Sequence, residues 1–153
     1  MKLGTLAVHT CALLLTLASV SALADTPARP YKYGSVWVVA SIRMKPGMEV
    51  AYKNHIATEW KAAQEEQKKA GIILSYRAFV SDETYSASSW NILLMKEYKD
   101  LATLEATRSK LDELDVKLAG GQQEFEKGYR DREAIREILD QKITQEVIFQ
   151  PSN

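Results

Sequence analysis

The chain has 153 residues, 46% of them hydrophobic and 26% charged, with 20 basic side chains balancing 20 acidic ones. That is the composition of one ordinary globular domain; it excludes a disordered chain and a collagen-like repeat, and a single cysteine excludes a disulfide scaffold. A net charge of zero argues against a nucleic-acid binder, which needs a basic footprint to displace counterions from phosphates.

Residues 1–24 read as a signal peptide. Met1-Lys2 is a short positive start, Leu3 to Val20 is almost wholly apolar, and Ser21-Ala22-Leu23-Ala24 ends in the small-x-small pattern of a cleavage site. A membrane span would need ~20 such apolar residues. The small-residue site and the polar, proline-containing segment Asp25 to Pro30 favour cleavage after Ala24, with no span in the mature chain. The expected product is exported, periplasmic or secreted. Cys11 lies inside the apolar run, which disfavours a lipid anchor. Cleavage leaves 129 residues, 19 basic and 20 acidic, with no cysteine and His55 as the sole histidine. Thiolate chemistry, disulfides and zinc sites rich in cysteine or histidine are lost with the signal, and no metal is assigned.

Residues 25–34 read as an extended leader and 35–150 as one domain. Ser35 to Met44 (SVWVVASIRM) is a strand stopped by the turn Lys45-Pro46-Gly47. Met48 to Ala70 lacks glycine and proline and carries Met48, Tyr52, Ile56, Trp60 and Ala63 at helical spacing, until Gly71 ends it. Ile72 to Val80 and Trp90 to Tyr98 are strands flanking the polar loop Ser81 to Ser89. From Asp100 a helical stripe of Leu101, Leu104, Arg108, Leu111, Leu114 and Leu118 runs to Gly120-Gly121. A second helical stretch, Gln122 to Gln141, carries Phe125, Tyr129, Ile135, Ile138 and Leu139, and Ile143 to Gln150 is the closing strand.

Strand, helix, strand, strand, interrupted helix, strand is the split βαβ order. It predicts an α+β, ferredoxin-like fold: a four-stranded antiparallel sheet with helices on one face. Period-two sorting puts Val36, Val38, Ala40, Ile42 and Met44 on one face with Ile72, Leu74, Tyr76, Ala78 and Val80. The opposite parity collects Trp37, Val39, Ser41 and Arg43, then Ile73, Ser75, Arg77 and Phe79, then Asn91, Leu93, Met95 and Glu97. That second face is too apolar to stand in water, and a homodimer packed sheet to sheet is the economical way to cover it.

The opening SIRMKPGMEVAYKNHIATEW, with Lys45-Pro46-Gly47 between strand and helix, the strand led by Trp90 and the short last strand resemble the dimeric α/β-barrel superfamily. That group includes antibiotic-biosynthesis monooxygenase-like and NIPSNAP-like domains. The resemblance spans Ser35 to Gln150, and the region Asp100 to Gln141 is longer than the group's second helix. It implies an aromatic-lined pocket between sheet and helices, cofactor-independent oxygenase chemistry in some members and haem in others. Asn54, Asn91 and Trp60 or Trp90 offer the residue types for such a pocket. No cofactor is assigned, because His55 alone would have to ligate a haem.

His55 and Glu59 are one turn apart on the first helix, which suits a carboxylate-oriented general base; the plainer reading is a surface pair, or a histidine at the core edge beside Tyr52. Arg43, Arg77, Glu97 and Glu146 collect on the face away from the helices, where they pair with one another or hold an anionic ligand. Tyr129 to Lys142 (YRDREAIREILDQK) alternates charge as a solvated helix face does. No phosphate loop, nucleophile elbow, HExxH or calcium-loop pattern occurs. Three readings follow. The first is an exported domain that binds a small molecule or partner through an aromatic-lined pocket, with Tyr52, Trp60, Arg43, Arg77, Trp90 and Glu97 as binding residues. The second is a cofactor-independent monooxygenase or isomerase-like enzyme with His55 as base. The third is a structural interaction protein using the helical region 100–141.

Overall fold

A computed structural model of the chain describes residues 29–81 and 89–151. The expected signal peptide and its cleavage site lie outside the described residues. β1 (Tyr31–Met44) reaches back into the expected leader, pairing Tyr31 with Phe149 and Tyr33 with Val147. Lys45-Pro46-Gly47 then turns the chain. The Met48 N–H donates to the Lys45 carbonyl at 2.9 Å, and Gly47 sits at φ +77°, where a side chain would be strained.

The first helical stretch has three parts: α1 (Glu49–His55), a π-helical turn (Ile56–Trp60) and α2 (Lys61–Lys69). Thr58 Oγ1 donates to the Asn54 carbonyl at 2.8 Å within that turn, the kind of bond that loosens a helical ladder. After Gly71 come β2 (Ser75–Val80) and β3 (Ile92–Tyr98). Asp100 caps α3 (Leu101–Ala106) by accepting from the Thr103 N–H at 2.7 Å, and the Thr103 side chain together with that N–H holds its carboxyl below the usual range. α4 (Arg108–Ala119), α5 (Gln122–Glu133) and β4 (Arg136–Phe149) complete the chain.

The sheet order is β2-β3-β1-β4 with every neighbour antiparallel, the α+β ferredoxin-like arrangement the sequence predicts. One expectation is overturned: residues 136–141 are strand, not helix. β1 is long, and its last residues Ile42, Arg43 and Met44 take Ile138, Glu137 and Arg136 as partners. The Lys45 N–H donates to the Ile135 carbonyl at 3.0 Å. Backbone pairing along a central strand outweighs the helical spacing of a few charged residues. The proposed helical interaction surface at 100–141 therefore shrinks to three helices ending at Glu133.

The register places Trp37 opposite Glu97, Val39 opposite Met95, and Arg77 opposite Met95 on one face, as period-two sorting requires. Two residues depart from it. Ile73, expected on the open face, is 3% exposed in the core, and Leu74, expected inside, is exposed. The reason is that β2 starts only at Ser75, so Ile72 to Leu74 belong to the turn leaving α2 and escape strand parity.

The core divides in two. Val36, Ile72, Ile73, Tyr98 and Leu104 form one cluster; Ile42, Met44, Tyr52, Ile92 and Leu94 form the other. Val38 and Ala40 lie between them on β1 and are only half-buried.

Candidate functional site

The half-buried middle of β1 is the floor of a cleft. α4 and α5 pack mainly against each other and lightly against the sheet. They leave a cavity of about 1220 Å³ over Val38, Ala40, Leu94, Ile138 and Ile143, with Leu111, Leu118, Phe125 and Tyr129 on the helical side. Ile143 is 54% exposed and Ile138 39%, although the register puts both on the helix-side face with Val38 and Ile42. Apolar side chains thus face each other across open space, somewhat larger than the ~300–1,000 Å³ usual for a small-molecule site.

Charged and polar side chains, those of α2, α4 and α5 among them, also line this space, and two groups make specific contacts. Beside the floor, Lys96 Nζ donates to Gln67 Oε1 at 3.5 Å, and Gln67 Nε2 donates to Asp115 Oδ1 at 2.8 Å. Burial lowers the Lys96 pKa, with Asp115 opposing. Gln64, on the same helix as Gln67, has its Oε1 buried without a partner. At the α1 end, the His55 ring stacks on Tyr52 with centroids 5.9 Å apart and approaches Glu59 Oε2 through Nδ1 at 3.2 Å. Arg132 and Arg136 complete this end. The Arg136 guanidinium lies 5.8 Å from the Tyr52 ring and 6.0 Å from the Tyr129 ring, with Arg132 5.7 Å from the latter.

His55 is held neutral there. Burial lowers its pKa from 6.5, Glu59 pulls it up, and Arg132 and Arg136 add to the lowering. Below about pH 6.5 the unfolded chain takes up a proton that the folded chain refuses, so stability falls as pH drops through this window and is fully present above it. His55→Gln should flatten that part of the curve. Urea midpoints of both proteins between about pH 5 and 7 check this, and parallel curves would contradict it. No group of three or more histidine, cysteine, aspartate or glutamate side chains placed to hold a metal ion occurs among the described residues.

Of the residues singled out from sequence, Tyr52, His55 and Trp60 meet at this cleft, Trp60 edge-on to Tyr76 at 5.4 Å. Arg43, Arg77, Glu97 and Trp90 do not line it. Arg43 pairs with Glu137 at 2.6 Å, a partner on β4 in place of Glu97 or Glu146. Both side chains are part-exposed, so the pair is worth no more than about 1 kcal/mol. Arg77 lies 5.1 Å over Trp37, Glu97 accepts from Ser75 Oγ, and Glu146 accepts from Ser35 Oγ. Trp90 stands half-exposed just before β3.

Lys96, Gln67, Asp115, Arg132 and Arg136 were not foreseen. Lys96 had a signal, as a lone charge on the inward parity of Ile92, Leu94 and Tyr98. The arginine pair had none, because it forms only where α5 gives way to β4.

No family model and no curated protein matches the chain. Among solved structures it is similar to the crystal structure of HapK from Hahella chejuensis, at 8% sequence identity and a TM-score of 0.49. The match covers 72% of this chain and 91% of that one.

Proposed function

We propose that this is an exported binding domain that takes a small, largely apolar molecule into the cleft between sheet and helices. The observation that carries this reading is the cleft itself, with apolar and aromatic side chains on both walls among charged ones and two buried polar atoms that lack partners among the described residues, Gln64 Oε1 and Arg136 Nε. An orphaned buried polar atom costs ~1–3 kcal/mol, which a bound molecule with matching groups recovers. Tyr52, Trp60, Phe125 and Tyr129 supply the aromatic lining. N-phenyl-1-naphthylamine, an uncharged aromatic whose fluorescence rises in apolar surroundings, tests it. Saturable binding of one probe per chain is expected, and no saturable binding would remove the reading.

The proposal extends to assembly and address. Trp37, Val39, Phe79, Leu93 and Met95 share the sheet face that carries no helix, with Phe79 exposed, and a second copy of that face is its natural cover. No helix among the described residues is long and apolar enough to cross a membrane. Protein recovered from the export compartment should begin at Asp25 by intact mass and scatter light as twice one chain, and Leu93→Glu should halve that mass. A wild-type chain that scatters as one copy contradicts the dimer, and recovered protein retaining Met1 contradicts the cleavage.

A further inference from the structure

We propose that Arg132 and Arg136 form an anion clamp at the α5–β4 end of the cleft, so that its ligand is an amphipathic organic acid. The acidic head would lie between the two guanidinia and the apolar body along Val38, Ala40 and Leu94. This rests on the cleft reading above and adds the ligand's charge to it.

The chain builds the pair at a bend. Arg132 is in the last turn of α5 and Arg136 opens β4. Between them the Ile135 N–H donates to the Arg132 carbonyl at 3.1 Å, closing a tight turn that brings both side chains to the cleft wall. Tyr129 lies against both and Tyr52 against Arg136. Aromatic faces strip water from a guanidinium while leaving its N–H edge to find an acceptor.

Among the described residues no such acceptor is supplied. Asp131 pairs with Lys127 at 2.6 Å and Glu137 with Arg43 at 2.6 Å, while Glu59 approaches the neutral His55 at 3.2 Å and acts on Arg132 through its charge without an ion-pair contact. Neither arginine makes an ion pair, and Arg136 Nε is buried with no hydrogen-bond partner. Two like charges, partly desolvated and with only Glu59 near Arg132 to oppose them, repel each other, and an anion between them relieves that repulsion. Guanidinium forks accept a planar acid head through paired hydrogen bonds. The wall beyond them is apolar, which selects an acid with a hydrophobic body over free phosphate or a polyanion.

Two probes of the same shape separate the clamp from the cleft. 1-Anilinonaphthalene-8-sulfonate carries an anionic head on the aromatic body of N-phenyl-1-naphthylamine. The wild-type protein should bind the sulfonate at least about tenfold more tightly than the neutral probe. Arg132→Gln with Arg136→Gln should erase that preference, read as the ratio of the two probe affinities within each variant, while the double lysine variant, which keeps the charges without the forks, keeps only part of it. Far-UV circular dichroism checks that each variant is folded. Equal affinities in the wild type, or a preference that survives the double glutamine variant, would overturn the clamp and leave the cleft standing. Failure of both probes to bind would overturn the cleft and the clamp with it.

Discussion

Ala40→Trp should sharply weaken binding of N-phenyl-1-naphthylamine while the protein stays folded. Ala40 faces the helices from the middle of β1, opposite Leu94 on β3 and Gln141 on β4. It packs at the edge of the cluster of Ile42 and Ile92, is only half-buried and lines the cavity, so an indole there extends into that space. The ring takes the space a ligand would use. Affinity should fall about a hundredfold, ~2.7 kcal/mol. The urea midpoint should hold or rise, because the indole covers apolar surface now open to water, including Ile143. Val39→Trp, one residue away, points to the opposite face and should leave probe affinity within about twofold. Unchanged affinity in Ala40→Trp would place the probe outside the cleft.

The second large effect is on stability. Tyr52 is 1% exposed and joins the cluster of Ile42, Met44, Ile92 and Leu94. Its ring also carries the stacked His55 and lies against Arg136. Burial pushes its phenol up to about 12 against the opposing charges of Arg136 and Arg132, so the hydroxyl stays neutral. Tyr52→Ala removes the ring and leaves a cavity where α1 meets the sheet, a loss of ~3–5 kcal/mol. That is a large share of the ~5–15 kcal/mol typical of a domain. Tyr52→Phe keeps the ring and should stay within ~1 kcal/mol of wild type. Urea denaturation of the three proteins measures both, and an alanine variant as stable as the phenylalanine one would contradict the assigned role.

The fold was legible in the sequence where backbone and burial agree. Alternation in SVWVVASIRM and the glycine stop at Gly71 place β1 and the first helical stretch, because each pattern has one dominant physical cause. The start of β4 was not legible. Ile135 and Ile138 fit a helical stripe, and what makes Arg136 to Ile138 a strand is a partner far away in sequence, Ile42 to Met44. The site followed the same divide. Tyr52, His55 and Trp60 stand out as aromatic or titratable side chains on one predicted helix, and they meet at the cleft. The π-helical turn beginning directly after His55 has no marker in the sequence, although such turns recur at functional sites. Arg132 and Arg136 looked like part of a solvated charge run. Their meeting depends on where α5 ends, which tertiary pairing decides.

The proposed ligand site is the inner face of the sheet, not its open face. Both faces are apolar, so binding alone does not tell them apart. Intermolecular nuclear Overhauser effects between bound N-phenyl-1-naphthylamine and assigned methyl groups test the claim most directly. Contacts to Val38, Ala40, Leu94 and Ile143 are the predicted result. Contacts to Val39, Leu93 and Met95, with none to the first set, would contradict it.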